Sequence, residues 1–149
     1  ERLTASNFIM DIYAFCGNSG LFQIADGGDL SSSIHSNYNP DKNSKEKPWI
    51  PEEKAVVAYQ VASGLADLHN FAKEGVPAIA HTDITADQFV FVEKNGVYKL
   101  NDFNRGRFLA KHNNTDELCT YAVENNPGRV SIDLVLSVAW RIYDSPLSH

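Results

Sequence analysis

"HTDITADQFVFVEKNGVYKLNDFN", running from His81 to Asn104, holds Asp83 and Asp102 on either side of a short apolar segment. A strand is expected from Gln88 to Val92, a turn at Lys94-Asn95-Gly96, and a second strand from Val97 to Asn101. Asn-Gly between two apolar runs is a strong short-range hairpin signal. Such a hairpin folds both its ends to one side, so Asp83 before it and Asp102 after it come near each other. Two carboxylates on adjacent loops suit phosphoryl transfer. One accepts the proton of the attacking hydroxyl, and the other holds Mg²⁺, a hard cation that takes oxygen ligands. Taken singly, either aspartate reads as readily as a solvated or capping carboxylate.

The flanking sequence reads as ordinary folded protein. The chain has 149 residues, 43% hydrophobic and 21% charged, enough for one domain with a core. Its net charge of -6 argues against a general grip on nucleic acid, which needs a basic face. No apolar run approaches the roughly 18 residues of a membrane span. Cys16 and Cys119 form no metal or redox motif, and Asn113-Asn114-Thr115 is a chance-frequency sequon.

Asn7 to Phe15 alternates well enough for a strand, and Leu21 to Ala25 for its hairpin partner across Gly17-Asn18-Ser19-Gly20. Asp29 can cap a short helix through Ser36. Asn37 to Lys47 reads as a surface loop. Pro51-Glu52-Glu53 then opens a helix to about Phe71, with Ala58, Val61, Leu65 and Leu68 as its apolar stripe. Ala110 to Arg129 looks like a long loop, and Ser131 to Tyr143 suits either helix or strand.

His81-Thr82-Asp83-Ile84-Thr85-Ala86-Asp87-Gln88 resembles the protein-kinase catalytic loop, H-R-D-L-x-x-x-N. Lys99 to Asn104 resembles the strand that enters the D-F-G motif. Leu21 to Leu30 is similar to the last N-lobe strand, the hinge and the next helix start; Gln60 to His69 is similar to the end of the long C-lobe helix. Order and spacing agree over about residues 7–104.

The resemblance implies a role for each matched position. Asp83 is the catalytic base, Asp102 a Mg²⁺ ligand, and Gln88 stands at the second metal-binding amide. Phe22 is the gatekeeper, Gln23, Ile24 and Ala25 the hinge against adenine, Asp29 the ribose contact, and Val90 the floor under the adenine ring. His81 and Phe103 stack into an apolar spine. ATP and Mg²⁺ are the implied cofactors and a protein hydroxyl the acceptor.

Four positions depart from the family pattern. Thr82 replaces the arginine that would meet a phosphate on the activation loop. Thr85 replaces the lysine that neutralises the γ-phosphate, which leaves transition-state charge less compensated. Gln88 is one methylene longer than asparagine. Asn104 replaces glycine, and asparagine is the side-chain-bearing residue that best tolerates positive φ.

Residues 1–149 contain no G-x-G-x-x-G loop, no V-A-I-K lysine and no A-P-E segment. With Glu1 at the start, this reads as a fragment of a longer kinase and not competent by itself. The expected fold is α+β and incompletely kinase-like. Residues 1–25 give N-lobe strands, 26–104 the hinge and a partial helical C-lobe, and 105–149 the activation segment and a divergent tail. The expected function is ATP-dependent phosphorylation of a protein hydroxyl, serine or threonine before tyrosine. The alternatives are a pseudokinase acting as a binding or scaffold module, and a small-molecule phosphotransferase of the aminoglycoside or choline kinase type.

Overall fold

Pro51 starts the longest helix because its missing N–H costs nothing at the first helical position. A computed structural model of the protein describes residues 3–17, 19–38, 48–74 and 77–109. The expectations for the loop after Tyr38, for Cys119, for the sequon and for Ala110 to Tyr143 lie outside these. Helix α2 runs from Pro51 to His69, and the Glu53 carboxylate accepts the Ile50 N–H at 2.9 Å. Helix α1, Leu30–Tyr38, begins where Asp29 accepts the Ser32 N–H at 2.8 Å, an N-cap as the sequence suggests. It extends two residues beyond the expected end at Ser36.

The chain is an α+β fold with two helices and three small two-stranded antiparallel sheets among the described residues. β1 (Ile12–Cys16) pairs with β2 (Ser19–Phe22), β3 (Ile79–Ala80) with β6 (Arg107–Phe108), and β4 (Phe89–Val92) with β5 (Val97–Leu100). The β4–β5 turn takes four residues, Glu93 to Gly96, and Gly96 closes it at φ +66.

The core forms where α2 packs on β5. Val57, Val61, Leu65 and Leu68 of α2 meet Ile9, Leu30, Ile79, Phe89, Tyr98 and Leu100. Three of the four expected stripe residues, Val61, Leu65 and Leu68, are buried, and the face extends beyond them. Val57 is buried where Ala58 is only half-buried, and Lys54, Gln60 and Gly64 share the face.

Polar and small residues on that face serve the edges of the central hairpin. β5 has β4 on one side, so its other edge needs partners for its backbone groups. Gln60 Oε1 accepts the Tyr98 N–H at 2.9 Å, and Phe8 O accepts the Leu100 N–H at 2.8 Å. Met10 donates its N–H to Leu100 O at 3.0 Å. Residues 7–11 are therefore not part of β1, as the sequence suggested; they run beside β5 through a single parallel bridge at Ile9. The outer edge of β4 is closed by Gly27 and Gly28, which exchange hydrogen bonds of 3.1 and 2.8 Å with Phe91. A Cβ on Gly27 would fall 2.4 Å from the Phe91 ring, so only glycine permits this approach.

The β1–β2 hairpin stands apart from this core. Every residue in both strands is exposed, and Phe15 is 83% exposed. β2 ends at Phe22 instead of reaching Ala25, and Gln23 returns to the body by donating its N–H to Asp11 O at 2.9 Å. No helix among the described residues is long and apolar enough to cross a membrane.

Candidate functional site

The β4–β5 register closes the base of the hairpin. Phe89 faces Leu100, and the next outward residues meet where Asn101 donates its N–H to Gln88 O at 2.8 Å. Gln88 and the start of the 101–104 loop are thereby side by side. Asp102 follows with φ 56 and ψ 65, a left-handed conformation unusual for a residue with a side chain. Such strain persists only where the surroundings over-determine it. Here His81 Nε2 lies 2.8 Å from the Asn101 carbonyl oxygen. A carbonyl only accepts, so Nε2 carries the proton. His81 is 2% exposed, and its Nδ1 has no hydrogen-bond partner. Its ring meets Phe103 edge-on, centroids 5.2 Å apart.

The loop bearing Asp83 has a second strained residue, Thr82, at φ 66. Its Oγ1 donates to the Arg105 carbonyl at 2.8 Å. Asp83 Oδ1 lies 3.6 Å from Arg105 Nη1. Asp83 and Asp102 therefore sit on two loops that contact each other, as the hairpin argument expects.

A cavity of about 790 Å³ opens beside the hairpin base. Phe22, Gln23 and Ala25 form one wall, and Gln88, Asp102, Phe103 and Asn104 another. Five residues given nucleotide- or metal-binding roles in distant parts of the sequence thus line one space: Phe22, Gln23, Ala25, Gln88 and Asp102. Met10, Ile12, Asp87 and Asn101 also line it and were not anticipated.

The other candidates lie elsewhere. Ile24 is 79% exposed and off the cavity wall. Asp83 and Thr85 sit outside the wall; the Thr85 carbonyl accepts the Gln88 N–H at 3.2 Å. Asp29 lines a separate groove of about 800 Å³ and caps α1, with both carboxylate oxygens bonded to Ser32. Those bonds, the Ser32 backbone N–H foremost, hold its pKa below the ordinary carboxylate value. Val90 is half-buried on β4 and bridges Asp29.

One buried cation supports the cavity from behind. Lys99 is 2% exposed, and its Nζ donates to Gln23 Oε1 at 2.9 Å and lies 3.5 Å from Asp11 Oδ2. The bond ties the Gln23 side chain to β5. A lysine on a short strand reads as solvent-facing, so nothing in the residue pattern signals this burial.

Asp102 and Gln88 present oxygen donors on adjacent walls, and the Asp102 carboxylate makes no capping bond. Hard oxygen donors of this kind fit Mg²⁺, which keeps several waters and binds through one or two carboxylates plus phosphates. Among the described residues, no three His, Cys, Asp or Glu side chains gather into a metal site of protein ligands alone. In comparisons with known proteins, no family model matches the chain and no curated protein matches its sequence.

Proposed function

We propose that this chain belongs to a protein kinase and that the cavity between Phe22 and Asp102 takes ATP. The observation that carries the reading is the convergence in that cavity. The resemblance makes Phe22 the gatekeeper, residues 23–25 the hinge and residues 88 and 102 metal positions, and Phe22, Gln23, Ala25, Gln88 and Asp102 line one space large enough for a nucleotide. The strained Asp102, pinned by His81 through the preceding carbonyl, fits a residue held for chemistry against its backbone preference.

In this reading the backbone of residues 23–25 meets the base and Phe22 limits the depth of the site. Asp102 and Gln88 would hold Mg²⁺, which supplies charge neutralisation for the phosphates. Asp83, on the neighbouring loop and half-exposed, receives the acceptor hydroxyl proton. The acceptor is a protein serine or threonine. Thr85, Gln88 and Asn104 favour a second reading, a pseudokinase that binds nucleotide or partners without turnover.

Transfer of labelled γ-phosphate from ATP by the full-length natural chain tests the proposal. Label should pass to protein acceptors and not to aminoglycosides or choline. Label on small amines would favour the small-molecule phosphotransferase, and nucleotide binding without transfer would favour the pseudokinase.

A further inference from the structure

Arg105 has no role in the reading above, yet its placement is specified closely. Its guanidinium lies 3.6 Å from the Asp83 carboxylate, with the two side chains 45% and 36% exposed. An ion pair this open to solvent contributes little to stability. The backbone around it is nevertheless fixed from several sides. Thr82 Oγ1 donates to the Arg105 carbonyl at 2.8 Å, from a backbone held at φ 66. Gly106 donates its N–H to Phe103 O at 2.9 Å. Arg107 and Phe108 then pair with Ala80 and Ile79, the strand that leads directly into His81. Lys99, another cation near these loops, is buried and committed to Gln23 and Asp11.

We propose that Arg105 is a catalytic residue that brings to Asp83, from the opposite loop, the positive charge that Thr85 lacks. The inference rests on the phosphotransferase reading. In the step, a lone pair of the acceptor oxygen forms the new O–P bond to the γ-phosphorus. The bond from that phosphorus to the β–γ bridging oxygen breaks, and its electron pair leaves on ADP. The hydroxyl proton passes to a carboxylate oxygen of Asp83. Negative charge spreads over the three equatorial oxygens of the moving group. A guanidinium presents a planar fork of donors that matches such oxygens, which a threonine hydroxyl cannot replace. Before substrate arrives, Arg105 rests on Asp83; with substrate it turns to the phosphoryl oxygens. Thr82 and the β3–β6 pairing keep it within reach.

The test uses the full-length natural chain with Arg105→Ala, Arg105→Lys, Thr85→Lys and the pair Arg105→Ala/Thr85→Lys. Arg105→Ala should lower kcat by roughly 10²–10³-fold, the loss typical of one removed charge-stabilising donor, with the acceptor KM little changed. Thr85→Lys in the Arg105→Ala background should recover much of that loss, and Arg105→Lys should fall between. A second readout is the ratio of ATP to ADP affinity, measured without turnover. The wild type should prefer ATP, and Arg105→Ala should remove the preference. If Asp83→Asn abolishes transfer but Arg105→Ala leaves kcat unchanged or raises it, the phosphotransferase reading stands and the role of Arg105 is overturned. If the wild type transfers no phosphate yet loses its ATP preference in Arg105→Ala, Arg105 is a phosphate contact only, and both its catalytic role and the enzyme reading are overturned. No nucleotide binding, or no ATP preference, overturns the inference.

Discussion

Gly64→Ala sets two effects of opposite sign against each other. Gly64 lies within α2, where alanine is the better helix former by about 1 kcal/mol. Propensity alone therefore predicts a more stable protein. A Cβ there would sit 2.8 Å from the Phe8 carbonyl oxygen and 3.5 Å from Leu100 Cβ. The Phe8 carbonyl cannot step aside freely, because it accepts the Leu100 N–H at 2.8 Å. Overpacking of this kind costs roughly 1–3 kcal/mol. The clash should win, leaving a net loss of about 1 kcal/mol. With a urea m-value of about 1–3 kcal/mol/M, the midpoint should fall by roughly 0.3–1 M. Because Met10 pairs with the same strand and lines the cavity, nucleotide binding should weaken as well. Ala66→Gly, on the exposed side of α2, is the control and should lose about 1 kcal/mol through propensity alone. A higher urea midpoint for Gly64→Ala would refute the packing of residues 8–10 between α2 and β5.

Further outcomes follow from the same geometry. In the full-length chain, Asp83→Asn should reduce phosphate transfer by roughly 10²–10⁴-fold with ATP affinity little changed, as steady-state rates and a binding titration would show. Gln88→Asn should lower or preserve activity if Gln88 already binds metal. A clear gain from Gln88→Asn with Thr85→Lys, assayed over several Mg²⁺ concentrations, would identify a drifted pseudokinase site instead. Asp29→Ala should cost about 1 kcal/mol by removing the cap of α1. Since the folded state lowers the Asp29 pKa from 3.8, its contribution should be complete above that pH and fade as pH drops through the lower folded value. Denaturation midpoints at pH 6 and pH 2.5 should therefore differ less in Asp29→Ala than in the wild type.

Local patterns made much of this fold legible. Pro51-Glu52-Glu53 marked the start of α2, Asp29 marked α1, and Asn95-Gly96 marked the turn between β4 and β5. Each is a short-range signal whose cause lies within a few residues. The misses share a long-range cause. Residues 7–11 have strand-like composition, but β5 captures them at its open edge, about ninety positions away in sequence. The α2 stripe was right at Val61, Leu65 and Leu68 but took Ala58 for Val57 and missed Gln60 and Gly64 on the buried face, one a hydrogen-bond acceptor for β5 and one a gap for Phe8. Polar and small residues of that kind do not register in an apolar period.

At the site, the kinase resemblance pointed to Phe22, Gln23, Ala25, Gln88 and Asp102, which share a cavity. Nothing in the sequence indicated the left-handed backbone at Asp102, the pairing of Arg105 with Asp83, or the burial of Lys99 behind Gln23. All three depend on contacts between loops that only the folded chain brings together.

The cavity's occupant is the central claim, and photolabelling tests it most directly. The full-length chain would be irradiated with 8-azido-ATP and Mg²⁺, digested, and mapped by mass spectrometry. Label should fall on peptides containing Met10 to Ile12 and Phe22 to Ala25, and excess ATP should remove it. Label confined to the separate groove beside Asp29 and Ser33, or label that ATP does not displace, would contradict the account.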